Sequence, residues 1–393
     1  MSNVRFPLSV IIILTGTFFM IIHPQATVQA ASQGLLLWYS IVLPALLPFF
    51  IVAELLVKIR FVNFMGVLME PVMHPLFRLP GCSALVVVLG FTSGFPVGAV
   101  LTRKLYDQQQ LSTEEAERLL VFTNNASPLF ILGAVGIGLL SNPAAGYLLA
   151  FSQYLSNLLL GILLRFKAPR SAPPIPPGGS GWKAACQASL FDNGERSGFA
   201  GMLGDAIRDS LGNVMAVGGF IVVFSLLTHM LSQWGLLEVM AGLLFSLLNI
   251  FPLDYAQVYG LCMGIFEMTL GAKTAAIIVP GNMLAVLLVL SAILAFSGIS
   301  VIAQVMSIMA GTSIRLSFYL LSRLLQMAMA CSITFLAYRL ALLTGMAGIQ
   351  VQAIPYHKVL YAFDAWTWSL YSLLAAFIII AVLLCMATGR QHQ

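Results

Sequence analysis

Four short clusters of polar residues interrupt long apolar runs of this sequence, and they contain the residue types that could do chemistry. Residues 90–99, GFTSGFPVGA, and residues 122–128, FTNNASP, supply hydroxyl and amide groups. Residues 261–275, LCMGIFEMTLGAKTA, supply a carboxylate and an amine, and residues 296–300, FSGIS, supply two more hydroxyls. Such groups hydrogen-bond polar small molecules, and a carboxylate inside an apolar segment also binds a proton or a cation.

The remaining reactive residue types are too scattered to form a catalytic or metal site. The five cysteines and five histidines are dispersed along the chain at spacings unlike those of metal ligands. The sequence contains no acid–base dyad, histidine cluster or nucleotide-binding glycine loop, so we expect a protein that is not an enzyme. We expect no cofactor and no metal, with a coupling proton or Na⁺ left open. A pump driven by ATP would need a partner subunit that supplies the ATPase motif.

The elements that position the four clusters must be membrane helices. Of the 393 residues, 60% are hydrophobic and 8% are charged, whereas a soluble domain carries roughly 25% charged residues. Apolar runs of about 20 residues recur, which is the length of a transmembrane helix and twice that of a barrel strand. The net charge of +5 is spread over loops, which is typical of cytoplasmic loops rather than of nucleic-acid binding.

Eight segments are apolar and long enough to cross the membrane, and they lie at 7–23, 34–57, 119–140, 144–164, 212–233, 283–311, 316–338 and 366–387. The Pro/Gly-rich stretch 168–200 and the charged loop 102–118 are predicted to be cytoplasmic, because both carry Lys and Arg. In that loop, STEE predicts a helix start with Ser112 as the N-cap and Glu115 reaching back. The first thirty residues are either a retained span or a signal peptide ending near VQA at 28–30. The length of the apolar run favours the retained span.

The glycine-rich residues 90–99 lie inside a stretch, 81–101, that would otherwise read as a membrane span. If 81–101 crossed the membrane, Lys58, Arg60 and Arg78 would lie outside, whereas a re-entrant hairpin keeps all three inside. We therefore predict a hairpin with these glycines at its tip, and a kinked helix with a Gly-rich packing face is the alternative. Non-helical backbone at this depth must be buried in protein or line a cavity.

The second half of the chain repeats this order at low sequence identity. Gly98 and Gly271 are 173 positions apart, and Phe122 and Phe296 are 174 positions apart. Two polar breaks therefore recur in order and at nearly one offset, which suggests a duplicated unit.

The charges predict that the two units are inverted. Residues 58–80 are basic and are expected inside, whereas residues 234–258 contain no Lys or Arg and are expected outside, each forming an interfacial amphipathic helix. We expect an all-α polytopic membrane protein with two inverted repeats, about eight full spans and two re-entrant broken-helix hairpins, an arrangement typical of secondary transporters. The predicted units are an N-terminal span at 1–30, a first repeat at 31–167, a cytoplasmic linker at 168–205, a second repeat at 206–345 and a C-terminal span at 346–393.

Several motifs carry a family resemblance that covers about residues 30 to 345. GFTSGFPVGA, LLVFTNNASPLFILGAVG, the Pro-rich linker, GIFEMTLGAK and AFSGISVIAQV resemble the YlbJ-like sporulation integral membrane proteins. That family is part of the nucleoside-recognition or gate-domain group, which is related to concentrative nucleoside transporters. The resemblance implies a protein of the outer forespore membrane that moves dipicolinic acid towards the forespore. The tip FTSGFPVGA lacks the Gln and Glu with which nucleoside transporters bind the base, which puts a nucleoside substrate in doubt.

The polar residues of the four clusters are the candidate substrate-binding residues, and they are Thr92, Ser93, Gly94, Asn124, Asn125, Ser127, Glu267, Thr269, Lys273, Ser297, Ser300 and Gln304. We expect FTNNASP to lie across from the first hairpin tip and FSGIS to face the second, and packing between helices is the alternative role. Ser93, Asn125 and Glu267 are predicted to surround one midplane cavity, because polar groups cannot face lipid cheaply.

Charged residues in the cluster 261–275 and in the later apolar segments have a structural or a functional interpretation. A carboxylate in an apolar segment costs roughly 2.5–3.5 kcal/mol, so Glu267 either forms a structural pair with Lys273 or binds a coupling ion while Lys273 attracts an anion. Arg315 is expected to anchor the chain at the interface or to guide an anionic substrate. Arg323 lies deeper and requires a partner that the sequence does not identify.

These observations predict a transporter of a small organic anion, at a midplane site where half-helix N-termini bind carboxylates. The family resemblance implies dipicolinate as the first candidate for that anion. The alternatives are a nucleoside-type transporter and a non-transporting membrane scaffold in a sporulation complex. The expected partners are the anion and membrane lipid, without nucleic acid, and a homo-oligomer is left open.

Overall fold

The computed structural model describes residues 5–59, 61–167, 199–276 and 283–343, and the regular structure in these ranges is entirely helical. The first half contains α1 (Arg5–Ile22), α2 (Pro24–Leu37), α3 (Leu43–Lys58), α4 (Phe61–Phe77), α5 (Ser83–Ser93), α6 (Val97–Asp107), α7 (Thr113–Thr123) and α8 (Pro143–Leu164). The second half contains α9 (Phe199–Gln233), α10 (Leu236–Leu247), α11 (Tyr255–Phe266), α12 (Met268–Ala275), α13 (Met283–Phe296), α14 (Gly298–Ile308) and α15 (Leu316–Leu343). Trp38–Val42 and Leu129–Leu139 are π-helical, and Arg165–Lys167 form a 3₁₀ turn.

The chain is an all-α membrane protein, and the described ranges hold four helices whose length and composition suffice to cross a bilayer. These four are Pro143–Lys167, Phe199–Gln233, Met283–Ile308 and Leu316–Leu343, and the third of them comprises α13 and α14. The first and last contain the predicted spans 144–164 and 316–338. The helix predicted at 212–233 begins earlier, at Phe199, and so includes the last residues assigned to the linker 168–205. The other linker residues, 168–198, the span predicted at 366–387 and the unit 346–393 lie outside the described residues.

The predicted span 34–57 is longer than the sequence suggested. Helix α2 begins at Pro24, and it runs through the π-helical turn Trp38–Val42 into α3 without a loop.

The N-terminal helices pack on α9. The indole N–H of Trp38 donates to the carbonyl oxygen of Val214 at 3.0 Å, and the hydroxyl of Ser225 donates to the carbonyl oxygen of Ala30 at 2.9 Å. The VQA tripeptide at 28–30 lies inside α2, with Ala30 buried.

Two pairs of short helices form helical hairpins. In the first, α5 and α6 pack against each other, and the tip residues 94–96 join them, so 81–101 are not one kinked helix. In the second, α11 and α12 pack along their whole length and meet at Glu267. A Cβ atom on Gly271 would lie 2.3 Å from the Cα atom of Gly264. The two backbones therefore touch, which a side chain at position 271 would prevent.

Two apolar clusters form the interior, and van der Waals packing rather than the expulsion of water stabilises them in lipid. One surrounds α3 to α6 and the start of α7. The other joins α8, α13, α14 and α15, and it receives Phe95 and Ala99 from the first hairpin and Ala272 and Ala275 from the second. Both hairpins therefore border the same cluster.

Helix α7 begins where its sequence predicts. The hydroxyl of Ser112 accepts from the backbone N–H of Glu115 at 3.3 Å, and the Glu115 carboxylate accepts from the backbone N–H of Ser112 at 2.9 Å. This capping box satisfies two backbone donors that no earlier helical turn could bond. It fixes the start of the helix that leads to the FTNNASP cluster.

Candidate functional site

The first break is the non-helical segment 124–127 between α7 and the π-helical segment. Pro128 cannot donate a backbone hydrogen bond, and it disfavours a helical conformation at the preceding residue, so the helix stops before it. The hydroxyl of Ser127 then accepts from the backbone N–H of Phe130 at 3.2 Å and caps the helix that resumes. Asn124 and Asn125 are fully buried in this break.

The first hairpin tip lies directly on the first break. Gly94 has φ +83°, and a Cβ atom there would lie 2.7 Å from the backbone nitrogen of Ser127. Added Cβ atoms on Gly90 and Gly98 would lie 2.4 and 2.6 Å from the carbonyl oxygen of Thr123. These three glycines are spaced four residues apart. They let α5, the hairpin tip and α6 contact the backbone at the first break.

Several polar atoms at this contact lack a hydrogen-bond partner among the described residues. They are the Ser93 hydroxyl, the Asn124 amide oxygen, and both amide atoms of Asn125. The Asn124 nitrogen donates to the phenolic oxygen of Tyr319 at 2.8 Å. Leaving a buried polar group unpaired costs about 1–3 kcal/mol. A polar ligand that bonded these atoms would recover that free energy.

The second break, at Ser297, contacts the second hairpin tip in the same way. Ser297 has φ +73° and Gly298 has φ +79°. A Cβ atom on Gly298 would lie 3.0 Å from the carbonyl oxygen of Gly264 and 3.2 Å from the backbone nitrogen of Met268. Ser297 and Ser300 are buried beside this contact, and the Gln304 amide reaches the Ser300 hydroxyl at 3.5 Å.

Glu267 is the N-cap of α12, and its predicted structural pair with Lys273 is wrong. One carboxylate oxygen accepts from the backbone N–H of Leu270 at 2.7 Å. Glu267 is 5% exposed, whereas Lys273 is exposed in the last turn of the same helix, and no ion pair joins them. The N-terminal N–H groups of α12 stabilise the buried charge, as helix N-termini do for anions.

The two arginines beside α15 have different environments. Arg315 forms a two-pronged ion pair with the buried Glu117, with nitrogen–oxygen distances of 2.9 and 2.6 Å. These bonds raise the pKa of the exposed Arg315 guanidinium above its ordinary value. Arg323 is fully buried, and its guanidinium donates to the carbonyl oxygens of Val121 and Ala295. These carbonyls are the partner that the sequence could not identify.

The structure gathers the predicted residues into two groups. Ser93, Gly94, Asn124, Asn125 and Ser127 lie at the first break. Three further residues, Glu267, Thr269 and Ser297, lie at the second break, and Ser300 and Gln304 follow in α14. Two predicted residues stand apart, because the Thr92 hydroxyl bonds Val88 of its own helix at 2.9 Å and Lys273 is exposed. Within the described ranges, no hydrogen bond links Glu267 to Ser93 or Asn125, so the single cavity around all three stays a prediction.

The sequence reasoning missed polar residues that α8 and α15 bring to the same region. The Tyr154 hydroxyl donates to the carbonyl oxygen of Ala126 in the first break at 3.0 Å, and the Gln153 amide donates to Leu294 near the second at 3.3 Å. Tyr319 and Gln326 of α15 are buried as well. The available signal was the spacing of three or four positions between polar residues on apolar helices, which puts them on one face.

An open cleft of ≈ 760 Å³ lies at the ends of α6 and α14 that point away from the breaks. Its charged lining residues are Glu54, Arg103, Lys104, Asp107, Arg208 and Asp209. Arg103 donates to the carbonyl oxygens of Ile308 and Ala310, which ties α6 to the end of α14. Val100 near the start of α6 also lines the cleft, so the cleft extends along α6 towards the first break.

Replacing Gly94 by alanine is expected to displace the hairpin tip from the first break and to lower the midpoint of thermal unfolding. The new Cβ would collide with Ser127 and strain a backbone with positive φ, each of which costs a few kcal/mol. The matched control is Gly219→Ala in α9, where an added Cβ meets no atom within 4 Å. Thermal unfolding of both purified variants checks the prediction, and equal midpoints would contradict it.

Comparison with known proteins is consistent with these features. A family model described as nucleoside recognition, Gate, matches residues 39–143, which include the first hairpin and the first break. The sporulation integral membrane protein YlbJ of Bacillus subtilis (strain 168) is 39% identical over 339 residues, covering 84% of this chain and 82% of that protein. An uncharacterised protein of Alkalihalophilus pseudofirmus is 28% identical over 163 residues, covering 40% of this chain and 32% of that protein. No solved structure matches the chain. The extent of the match to YlbJ shows that this chain belongs to the YlbJ family of sporulation integral membrane proteins.

Proposed function

We propose that this protein is a secondary transporter of a small organic anion, with dipicolinate as the first candidate, and that a substrate carboxylate binds at the first break. The observation that carries the proposal is the set of buried, unpartnered polar atoms on Ser93, Asn124 and Asn125. They lie where the first hairpin tip contacts the interrupted helix. Of these atoms, the Ser93 hydroxyl and the Asn125 amide nitrogen can donate to a carboxylate or to the ring nitrogen of dipicolinate, whereas the amide oxygens only accept.

Helix N-termini meet at both breaks, and the first break differs from the second in having no acidic side chain. Helix α6 and the π-helical segment both begin there, and each helix N-terminus carries roughly half a positive charge. The segments 90–99 and 122–128 contain no acidic residue. At the second break, where α12 and α14 begin, Glu267 already supplies a negative charge. A substrate carboxylate would therefore supply at the first break the negative charge that Glu267 supplies at the second.

The proposed site requires alternating access, because its side chains are buried. A substrate reaches Asn124 and Asn125 only when a hairpin moves away from the break that it contacts. In this proposal the ≈ 760 Å³ cleft is a cytoplasmic vestibule, whose lining carries three basic and three acidic residues and therefore no net charge. Glu267 is the proposed site for a coupling proton or Na⁺, because it is a buried carboxylate without a basic partner.

The inverted arrangement of the two repeats is part of the proposal, and cysteine labelling tests it. Single cysteines at positions 64 in α4 and 246 in α10 should react with an impermeant reagent from opposite faces of the membrane. The reason is the excess of Lys and Arg around the first helix and its absence around the second. A cysteine at the exposed position 109 of the loop 102–118 reports the cytoplasmic face. Labelling of positions 64 and 246 from one face would refute the inversion.

The family gives the biological setting for the proposal. The relative from Bacillus subtilis is named a sporulation integral membrane protein. We place the present chain in the outer forespore membrane of the sporulating mother cell, where a dipicolinate carrier would serve the forespore.

Uptake into proteoliposomes tests the proposal. The purified protein should accumulate labelled dipicolinate, and the uncharged pyridine-2,6-dicarboxamide should not compete, because it lacks the carboxylates. Imposed proton and Na⁺ gradients identify the coupling ion. Absence of dipicolinate flux in both directions would refute the proposal.

A nucleoside-type transporter is the second candidate, because the matching family model is described as nucleoside recognition. Labelled nucleosides in the same vesicles distinguish it from the anion transporter. The third reading, a membrane scaffold without transport, predicts no flux of either substrate and tolerance of substitutions at Ser93 and Asn125.

A further inference from the structure

Arg323 is the largest fully buried side chain in the described ranges, and its guanidinium connects two distant helix ends. Nη2 donates to the carbonyl oxygen of Val121 in the last turn of α7, and Nη1 donates to the carbonyl oxygen of Ala295 in the last turn of α13 at 3.4 Å. These two turns immediately precede the first and second breaks. One side chain of α15 therefore holds the ends of both interrupted helices.

Helix ends, not a carboxylate, balance the charge of Arg323. No ion pair involves Arg323 among the residues that the structure describes. The last carbonyls of a helix lack partners within the helix, and each helix C-terminus carries roughly half a negative charge. The two ends together offset about one positive charge. Arg323 and Glu267 thus have opposite electrostatic roles. The Arg323 guanidinium neutralises two helix C-termini, whereas the Glu267 carboxylate lies at two helix N-termini.

Neighbouring contacts extend this connection to the substrate-facing residues. The guanidinium lies over the ring of Tyr319, with its carbon 5.2 Å from the ring centroid. The Tyr319 hydroxyl oxygen accepts from the Asn124 amide at 2.8 Å. A displacement of Arg323 would therefore disturb the side chain of Asn124 as well as the ends of α7 and α13.

We propose that Arg323 is a positioning residue that fastens the ends of α7 and α13 to each other, so that the two breaks keep a fixed separation while the hairpins move. Its consequence for transport rests on the proposed function. The planar guanidinium can donate in two directions at once, whereas a lysine ammonium is a compact charge that reaches only one of the two carbonyls. The geometry, rather than the charge alone, is therefore the property that matters.

The test compares Arg323→Lys, which keeps the charge, with Arg323→Met, which keeps only the length. Arg339→Met is the matched control, because Arg339 is an exposed arginine of the same helix. Spin labels on cysteines at the exposed positions 114, at the start of α7, and 299, at the start of α14, report the distance between α7 and the second break. This measurement needs no substrate. Initial rates of dipicolinate uptake give KM and the maximal rate for each variant.

We expect a narrow distance distribution in the wild type and in Arg339→Met, and a broader one in both Arg323 variants. We also expect both variants to raise the KM for dipicolinate at least about tenfold, as loss of a charge-assisted hydrogen bond does. A narrow distribution and a normal KM in Arg323→Lys would overturn the proposal, since charge alone would then suffice. If Arg323→Met does not fold, the lysine variant still decides. A wild type that transports no dipicolinate refutes the proposed function, while the distances still test Arg323.

Discussion

Replacing Asn125 by aspartate is expected to lower dipicolinate transport by at least about 100-fold while the protein stays folded. The new carboxylate would occupy the place that we assign to the substrate, near the N-termini of α6 and the π-helical segment. Juxtaposed like charges cost several kcal/mol, so the substrate dianion would be excluded. The helix N-termini would stabilise the added charge, as they stabilise Glu267 at the second break.

The matched control for this variant is Asn157→Asp in α8. Asn157 is also fully buried with an unpartnered amide oxygen, but it lies in the middle of a helix. It would lose the hydrogen bond to the carbonyl oxygen of Gln153 and bury a charge without helix N-termini nearby, so its thermal midpoint should fall. Unfolding curves with and without dipicolinate, together with uptake rates, separate the two variants. An Asn125→Asp protein that is as unstable as Asn157→Asp, or that transports normally, would refute the carboxylate site.

Replacing Glu267 by asparagine is expected to abolish gradient-driven accumulation of dipicolinate while preserving the fold. Asparagine is a good N-cap, so α12 keeps a bond to its first turn, whereas Glu267→Ala should lose about 1 kcal/mol of stability. Without the carboxylate, no coupling proton or Na⁺ can bind at the second break. Accumulation should then fall at least about tenfold, with exchange across equal concentrations retained.

The exposed Lys273 gives this experiment its control. Because Lys273 does not contact Glu267, the double variant Glu267→Asn with Lys273→Met should behave as the single Glu267→Asn variant does. Uptake measured at several proton and Na⁺ gradients checks both expectations. Undiminished, gradient-dependent uptake by Glu267→Asn would exclude the coupling role. If the Lys273→Met substitution rescued uptake, the hypothesis of a Glu267–Lys273 charge pair would be supported against the structure.

Much of the architecture was predictable because its causes are local in sequence. Pro128 removes a backbone donor, Gly94 permits a positive φ, and Ser112 with Glu115 caps a helix, so the break, the tip and the start of α7 appear where the residues predict them. The apolar runs likewise identify a membrane protein, because no water is available inside a bilayer to solvate polar groups. The bounds of α2 and α9 were not predictable, since tertiary packing stabilises the extra turns. Helix α2 packs on the later part of α9, and Lys58 at the end of α3 pairs with Asp209 in the early part of α9.

The partners of buried charges were decided by the tertiary structure alone. Glu267 and Lys273 are close in sequence, yet the carboxylate bonds the N-terminus of its own helix, where free N–H groups are nearer than the ammonium. Arg323 bonds Val121, which is 202 positions away, and Ala295, which is 28 positions away. Its partners are backbone carbonyls, and every residue type carries one. The sequence by itself determined that these helices break and that a buried arginine needs acceptors. Only the packing of α7, α13 and α15 determined which helix ends provide them.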